Sequence, residues 1–347
     1  MDTQSMKIGH RIISDKTAPL IIAELGINHG GCLDTAKGMV QLAAKSGCEC
    51  VKHQTHFVDD EMTEEARGIY PPNANTSIWN VIEKSALSAD EECELKEYSE
   101  SLGLIYLSTP FSRSAANFLD EIGVEAFKIG SGEADNLPLI EHIAKFGKPI
   151  IMSTGMHSLN NLENSVDIFE KYGLEYALLE CTSAYPTPPE TVRLSAIAEL
   201  KQKFPRAVVG FSDHSIGTTM SIAASALGAK IIEKHFTDTR YREGPDIVCS
   251  MDPTELRLLV DRSMEIHQAL QSKKERLPIE KKVYQFARSS IVADRDIKRG
   301  QTIMQNDIWA RRPGNGEIAG YDFNKVLGKT AVVDIAKNKQ LTWNDLR

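Results

Sequence analysis

Residues 207–238 read AVVGFSDHSIGTTMSIAASALGAKIIEKHFTD. An apolar run of strand length at 207–211 leads into Ser212-Asp213-His214. A segment of helical period covers 218–227, Gly228 stops it, and a second apolar run at 230–233 leads into Lys234-His235. Two short apolar runs flanking a helix-length segment describe a strand–helix–strand unit with parallel strands. The pattern recurs upstream, with runs at 20–25, 50–54, 104–109, 126–129, 149–153 and 176–181 completing a set of eight. Helical segments fall between them at 35–45, 90–101, 113–121, 162–172 and 195–203, and another follows at 254–270. Gly47, Gly103, Gly123, Gly147, Gly173 and Gly228 sit where helices stop before the next strand. Eight βα units in about 250 residues match a (β/α)8 TIM barrel in count and size. A doubly wound open sheet is the next reading.

The chain has 347 residues, 41% apolar, 25% charged and 7% aromatic, which is enough for a large core plus an appendage and excludes a disordered or fibrous protein. Its formal net charge of -8 argues against nucleic-acid and anionic-membrane partners. The six cysteines contain no CxxC pair, so a zinc ribbon or a disulfide framework is not expected, and the reducing cytoplasm is the expected compartment. No apolar run approaches the roughly 20 residues that span a bilayer, and the N-terminus lacks a signal-peptide core. The barrel is expected over 1–270, a charged linker over 271–285, and a small β-rich module over 286–347. Within that module, β-like runs stand at 290–293 and 330–333, beside the loop RRPGNG at 311–316. The charge run at 91–100 reads as a solvated helix face.

Catalytic groups of a parallel barrel sit at the C-terminal ends of its strands, and here those ends are polar. They carry Glu24, then Lys52 and Gln54, then Thr109. Next come Lys128 with Ser131 and Glu133, then Ser153, Cys181 with Ser183 and Tyr185, Ser212 with His214, and Glu233 with His235. Side chains alternate along a strand, so Lys52 shares a face with Gln54, Ser212 with His214, Glu233 with His235, and Cys181 with Ser183. His53 and Lys234 then point toward the helices as structural residues. His214 and His235 end consecutive strands about 4.8 Å apart. Two imidazoles there can share a divalent ion, with Glu or water completing an open shell, or can serve as hydrogen-bonded mouth histidines. Lys52 and Lys128, with hydroxyls from Thr109, Ser131, Ser153 and Ser212, suit a small anion. Gly130 and Gly132 leave backbone N–H groups free to approach phosphate oxygens.

The segments AELGINHG (23–30), VKHQTH (51–56), LSTPFS (107–112), FKIGSGE (127–133), STGM (153–156), GFSDH (210–214), EKHFTD (233–238), GPDIVCSM (244–251) and RPGNG (312–316) occur together in one chain. In these it resembles the bacterial N-acetylneuraminate (sialic acid) synthases over nearly its whole length. The resemblance implies a (β/α)8 barrel followed by an antifreeze-like SAF module of β-clip type. It also implies a homodimer, in which the C-terminal module is swapped to cap the partner's site. The implied reaction is a condensation of phosphoenolpyruvate with N-acetylmannosamine, with C–O cleavage and a divalent metal, Mn2+ ahead of Mg2+.

By the same resemblance, His214 and His235 hold the metal. Lys52, Lys128, Ser131, Ser153 and Ser212 bind phosphoenolpyruvate. Gln54, Asn73, Thr109, Glu133, Tyr185 and Asp246 surround the sugar, and Arg312 reaches the N-acetyl group across the dimer. Glu24 is the candidate for handling protons, beside the catalytic lysines Lys52 and Lys128. One departure is Ser183, where these synthases usually carry Asn; the shorter side chain makes a direct substrate contact water-mediated. Ser183 keeps open an N,N'-diacetyllegionaminate synthase using a 6-deoxy diacetamido sugar, whereas residues 52–56 with Asp60-Glu61-Met62 look like the N-acetylmannosamine users. From other classes, a Schiff-base aldolase on Lys128 and a carbohydrate- or ice-binding protein relying on the tail are the rivals.

Overall fold

A computed structural model describes residues 5–72 and 74–347. The chain divides into two compact units, Met1–Gln271 and Ser272–Arg347. The first opens with an antiparallel hairpin, β1 (Ser5–Ile8) and β2 (Arg11–Ser14). Alternation along these arms buries Met6, Ile8 and Ile13. They join Leu20, Ile22, Cys50, Leu107, Ile151 and Leu179 in one apolar cluster, so the hairpin closes the N-terminal end of the barrel. Sequence periodicity starts the fold at residue 20 and misses this plug, because four-residue arms are too short for alternation to stand out.

The barrel strands are β3 (Leu20–Gly26), β4 (Cys50–Thr55), β5 (Ile105–Pro110), β6 (Phe127–Ile129), β7 (Ile150–Ser153), β8 (Tyr176–Cys181), β9 (Val208–Asp213) and β10 (Ile231–His235). Their order is β5-β4-β3-β10-β9-β8-β7-β6, and the ladders join them in parallel. The first strand therefore pairs with the last, which an open doubly wound sheet does not do. This is the expected (β/α)8 barrel, and β5 and β6 lie side by side where the ladder ends.

The surrounding helices are α1 (Leu33–Lys45), the short α2 (Val58–Glu61), α3 (Ile78–Ser85), α4 (Ala89–Ser101), α5 (Arg113–Glu121), α6 (Leu137–Ala144), α7 (Glu163–Lys171), α8 (Ala196–Lys203), α9 (Thr219–Ala226) and α10 (Pro253–Leu270). Strand residues facing them, such as Val51, Tyr106, Phe127, Leu178 and Ile232, pack on Met39, Leu95, Leu119, Ile140 and Leu259 in a second apolar layer. Both faces of the strands are thus buried, as parallel sheets require. The six helix-terminating glycines hold φ between +66° and +87°, the left-handed conformation that lets the chain turn back into a strand.

The charge run at 91–100 is not uniformly solvated. Ser88 and Glu91 form a capping box at the start of α4, but Glu92 is 2% exposed and turned into the barrel wall. Its Oε1 accepts hydrogen bonds from Thr55 Oγ1 at 2.5 Å and Tyr106 OH at 3.0 Å, and His53 Nδ1 lies 3.4 Å away. A local charge count cannot single out the one carboxylate that faces polar partners on two strands.

In the second unit, the segment expected as linker ends in helix α11 (Lys281–Ala287). Strands β11 (Ser290–Ala293) and β12 (Ile308–Arg311) pair antiparallel, and a short α12 (Phe323–Val326) follows. Ile291, Ile303, Ile308, Ile318, Ile335 and Leu341 form its core. The expected β-run at 330–333 makes only single bridges, Thr302 with Thr330 and Ala331 with Leu346, and does not become a strand. Among the described residues no helix is long and apolar enough to cross a membrane.

One position tests the packing of the barrel interior. A Cβ on Gly210 would stand 2.5 Å from both Ile231 O and Leu179 Cδ2. Gly210→Ala should cost about 1–3 kcal/mol by overpacking, read from the urea midpoint. Gly38→Ala, on an exposed face of α1 with open space around it, should instead gain about 0.5–1 kcal/mol.

Candidate active site

The C-terminal strand ends surround a cavity of about 330 Å³. Its floor is a cluster of four buried charges. Lys52 Nζ lies 2.7 Å from Glu24 Oε2 and 3.8 Å from Glu233 Oε1, and Lys128 Nζ lies 3.7 Å from the same Glu233 oxygen. Lys52 also donates to Thr109 Oγ1 at 3.0 Å, and Lys128 to Ser153 Oγ at 2.7 Å and Ile129 O at 3.0 Å. None of the four is more than 6% exposed.

Burial pushes the Lys128 ammonium below its ordinary value, with Glu233 opposing. At Lys52 burial acts the same way, but Glu233 and Glu24 outweigh it and the net direction is upward. Burial raises the Glu24 carboxyl against the pull of Lys52, whereas at Glu233 the two lysines overcome burial and lower it. Glu24 is therefore the carboxylate of the pair that holds a proton more readily.

Ser131, Ser183 and Ser212 line the same cavity. Ser131 Oγ accepts from Gly155 N–H at 3.0 Å. A Cβ on Gly155 would meet Ser183 Oγ at 2.4 Å and Ser131 Oγ at 2.8 Å, so only glycine lets the chain after β7 run this close to the hydroxyls. Lys52, Lys128 and these hydroxyls could hold a small anion carrying several charges.

His214 and His235 face each other with ring centroids 5.5 Å apart, and Tyr185 packs 4.1 Å from the His214 ring. His214 Nδ1 sits 2.9 Å from Thr182 O. An Nδ1–H donated there would leave Nε2 to face the cavity; burial lowers the His214 pKa, but Cys181 and the Thr182 carbonyl outweigh it and the net direction is upward. His235 Nδ1 is buried without a hydrogen-bond partner, 3.8 Å from Asp246 Oδ2. Burial holds His235 well below the usual imidazole range and pushes Asp246 up to about 6. This donor set fits a divalent ion in part. Among the described residues no cluster of three or more His, Cys, Asp or Glu forms a metal cage, so the protein would supply two imidazoles and leave the remaining positions to water or ligand.

Glu24, Lys52, Gln54, Thr109, Lys128 and Ser153 thus meet in one cavity with Ser131, Ser183, Tyr185, Ser212, His214 and His235. Glu133 instead borders an adjoining cavity of about 430 Å³, where Asn136 Nδ2 donates to it at 2.6 Å and burial raises its pKa. Asp246 borders a third, of about 350 Å³, together with Gln54, Tyr185 and His235. Asn73 lies outside the described residues. Arg312 is exposed in the segment 312–316 that follows β12 in the second unit. His53 and Lys234 point away from the cavity: His53 Nε2 lies 3.0 Å from His29 Nε2, and Lys234 Nζ pairs with Asp213 Oδ2 at 3.2 Å. The sequence reading missed Glu233 as the counter-charge of both lysines. Parity with His235 points it inward, but nothing local pairs it with Lys52 and Lys128. Phe111, Met156 and Cys181 also line the cavity.

Comparison with known proteins gives a consistent picture. The model of the NeuB family matches residues 39–275, and that of the SAF domain matches residues 288–347. The chain is 38% identical over 320 residues to the N,N'-diacetyllegionaminic acid synthase of Campylobacter jejuni, covering 90% of this chain and 95% of the relative. It is 34% identical over 327 residues to the N-acetylneuraminate-9-phosphate synthase of Homo sapiens, covering 92% and 90%. The crystal structure of N-acetylneuraminic acid (sialic acid) synthetase from Leptospira borgpetersenii, in complex with citrate, matches with a TM-score of 0.75 at 34% identity, covering 81% of this chain and 95% of that one.

The floor cluster makes a prediction about stability. Glu233→Ala leaves two buried lysines facing one carboxylate and should cost about 3–5 kcal/mol, measured by urea unfolding. Added inorganic phosphate should recover part of that loss by replacing the missing negative charge.

Proposed function

The chain belongs to the NeuB family of sialic-acid-type sugar synthases, and on that premise we propose that it condenses phosphoenolpyruvate with N-acetylmannosamine, giving N-acetylneuraminic acid and phosphate. The observation that carries this reading is the pair of buried lysines beside the two histidines. Phosphoenolpyruvate is a small polyanion. Lys52 and Lys128 neutralise its phosphate and carboxylate, and Ser131, Ser153 and Ser212 supply the remaining donors. Glu24 and Glu233 keep both ammonium groups charged and in place before the substrate arrives, so little reorganisation is needed on binding.

C3 of phosphoenolpyruvate forms the new bond to the aldehyde carbon of the open-chain sugar. Water adds at C2, the C2–O bond breaks, and phosphate leaves with the bridging oxygen. Glu24, with its raised pKa, takes or returns the proton of that water or of an adjacent hydroxyl. Gln54, Thr109, Glu133, Tyr185 and Asp246 orient the sugar, as does Asn73. His214 and His235 would hold a divalent cation, Mn2+ before Mg2+, which when bound would supply Lewis acidity to the sugar carbonyl. We also propose a cytoplasmic homodimer in which Arg312 of a second copy reaches the N-acetyl group.

A second reading, N,N'-diacetyllegionaminate synthesis from a 6-deoxy diacetamido sugar, draws on Ser183 and on the Campylobacter jejuni relative. Phosphate release separates the two. N-acetylmannosamine should support turnover at least tenfold better than the diacetamido sugar, and the reverse ratio selects the second reading. With 18O in the bridging oxygen of phosphoenolpyruvate, the label should appear in phosphate; label in the sugar product rejects C–O cleavage. Chelator should abolish activity and Mn2+ restore it, while borohydride with pyruvate should leave Lys128 unmodified. Arg312→Ala mixed with Lys128→Ala should regain activity that neither variant has alone.

A further inference from the structure

Four side chains form one hydrogen-bonded line from the 350 Å³ cavity, which Glu61 and His56 border, to Glu24 in the floor cluster. Glu61 Oε2, at the end of α2, lies 2.7 Å from His56 Nδ1. His56 Nε2 lies 3.2 Å from Gln54 Oε1, and Gln54 Nε2 donates to Glu24 Oε1 at 2.8 Å. The His56 ring is buried and stacked on Phe111, with centroids 4.6 Å apart and planes 15° from parallel. His56 follows β4 directly, two residues after Gln54, and the chain leaving the strand keeps its imidazole alongside the amide.

A primary amide can rotate by half a turn and exchange its donor and acceptor ends at little cost in shape. The ends of Gln54 are not equivalent here. Glu24 accepts at one end, so the nitrogen faces it and the carbonyl oxygen faces His56 Nε2, which donates when the ring carries protons on both nitrogens, with Nδ1–H on Glu61 and Nε2–H on Gln54. If the amide turned over, its carbonyl would face the Glu24 carboxylate and its N–H₂ would face the imidazole N–H. In the observed orientation one amide N–H and one carbonyl lone pair of Gln54 remain unspent, and Gln54 borders both the 330 Å³ and the 350 Å³ cavities.

We propose that His56, seated by Glu61, is a positioning residue that holds the Gln54 amide in one orientation, so that its free N–H is offered to an acceptor oxygen of the sugar substrate. The inference rests on the assignment of Gln54 to the sugar side of the site. It makes His56 a determinant of sugar affinity although it acts through another residue.

The test compares His56→Phe, His56→Gln, Gln54→Ala and the double variant His56→Phe/Gln54→Ala in the full-length enzyme. Phenylalanine keeps the stack on Phe111 without a donor, whereas glutamine places an amide N–H near the position of Nε2. His56→Phe should raise the sugar KM about tenfold, the loss of roughly one hydrogen bond, and leave the phosphoenolpyruvate KM within twofold. His56→Gln should recover most of that loss, and Glu61→Gln should raise the sugar KM about threefold. The double variant should be no worse than Gln54→Ala alone. Multiplying effects in the double variant, or equal rises in both KM values, would overturn the proposal, as would an unchanged sugar KM in His56→Phe. If Gln54→Ala itself leaves the sugar KM unchanged, the sugar-side assignment of Gln54 fails as well, which separates the two failures. The comparison is made with whichever sugar the wild type turns over, and thermal midpoints report any loss of folding separately.

Discussion

The structure is organised around the cost of keeping two ammonium groups inside a barrel. Lys52 and Lys128 are nearly inaccessible to solvent, and an isolated buried charge is expensive. Glu24 and Glu233 offset that cost, and the requirement that four groups from four strands meet constrains the register of β3, β4, β6 and β10 together. A slip of one residue on any of these strands would turn its charge out toward the helices. The same cluster makes the cavity receptive to an anion, because the lysines are already desolvated and already aimed.

Around the floor, polar groups on the outward faces of the strands tie the site to its helices. Behind β4, Glu92 gathers Thr55, Tyr106 and His53, and His53 in turn meets His29 in the loop after β3. Burial pushes the His29 imidazole down to about 3, so that ring stays neutral in this contact. Behind the histidine pair, Lys234 and Asp213 form an ion pair, with Ser215 and Ser221 donating to the carboxylate. Each inward functional residue on these strands thus has an outward neighbour whose partners hold the strand end in place. The line from Glu61 through His56 to Gln54 extends the same principle into the cavity itself.

Much of this is legible in the sequence. Alternation predicted that Lys52 and Gln54 share a face and that His53 and Lys234 do not, and the cavity lining has that arrangement. What sequence reasoning missed has a common cause. Glu92 was hidden in a charge run because its partners, Thr55, His53 and Tyr106, are remote in sequence. Glu233 pointed inward by parity, but its pairing with Lys52 and Lys128 crosses the barrel. The N-terminal hairpin was too short to show a period. The run at 330–333 has β-like composition, yet it finds only isolated bridging partners and stays irregular.

By itself the sequence determined the repeating unit, its count, the strand ends that carry polar groups and the face each residue takes. These follow from chain periodicity, a local property of the backbone. Only the tertiary structure decided which of those groups meet: two lysines with two glutamates, two imidazoles under one tyrosine, and a glutamine held between a carboxylate and a histidine. Their separations are set by barrel closure, strand register and packing against the helices. They join residues far apart along the chain, as Gln54 and Glu24 are, so no local pattern records those meetings, whereas Gln54 and His56, two residues apart, are brought together locally.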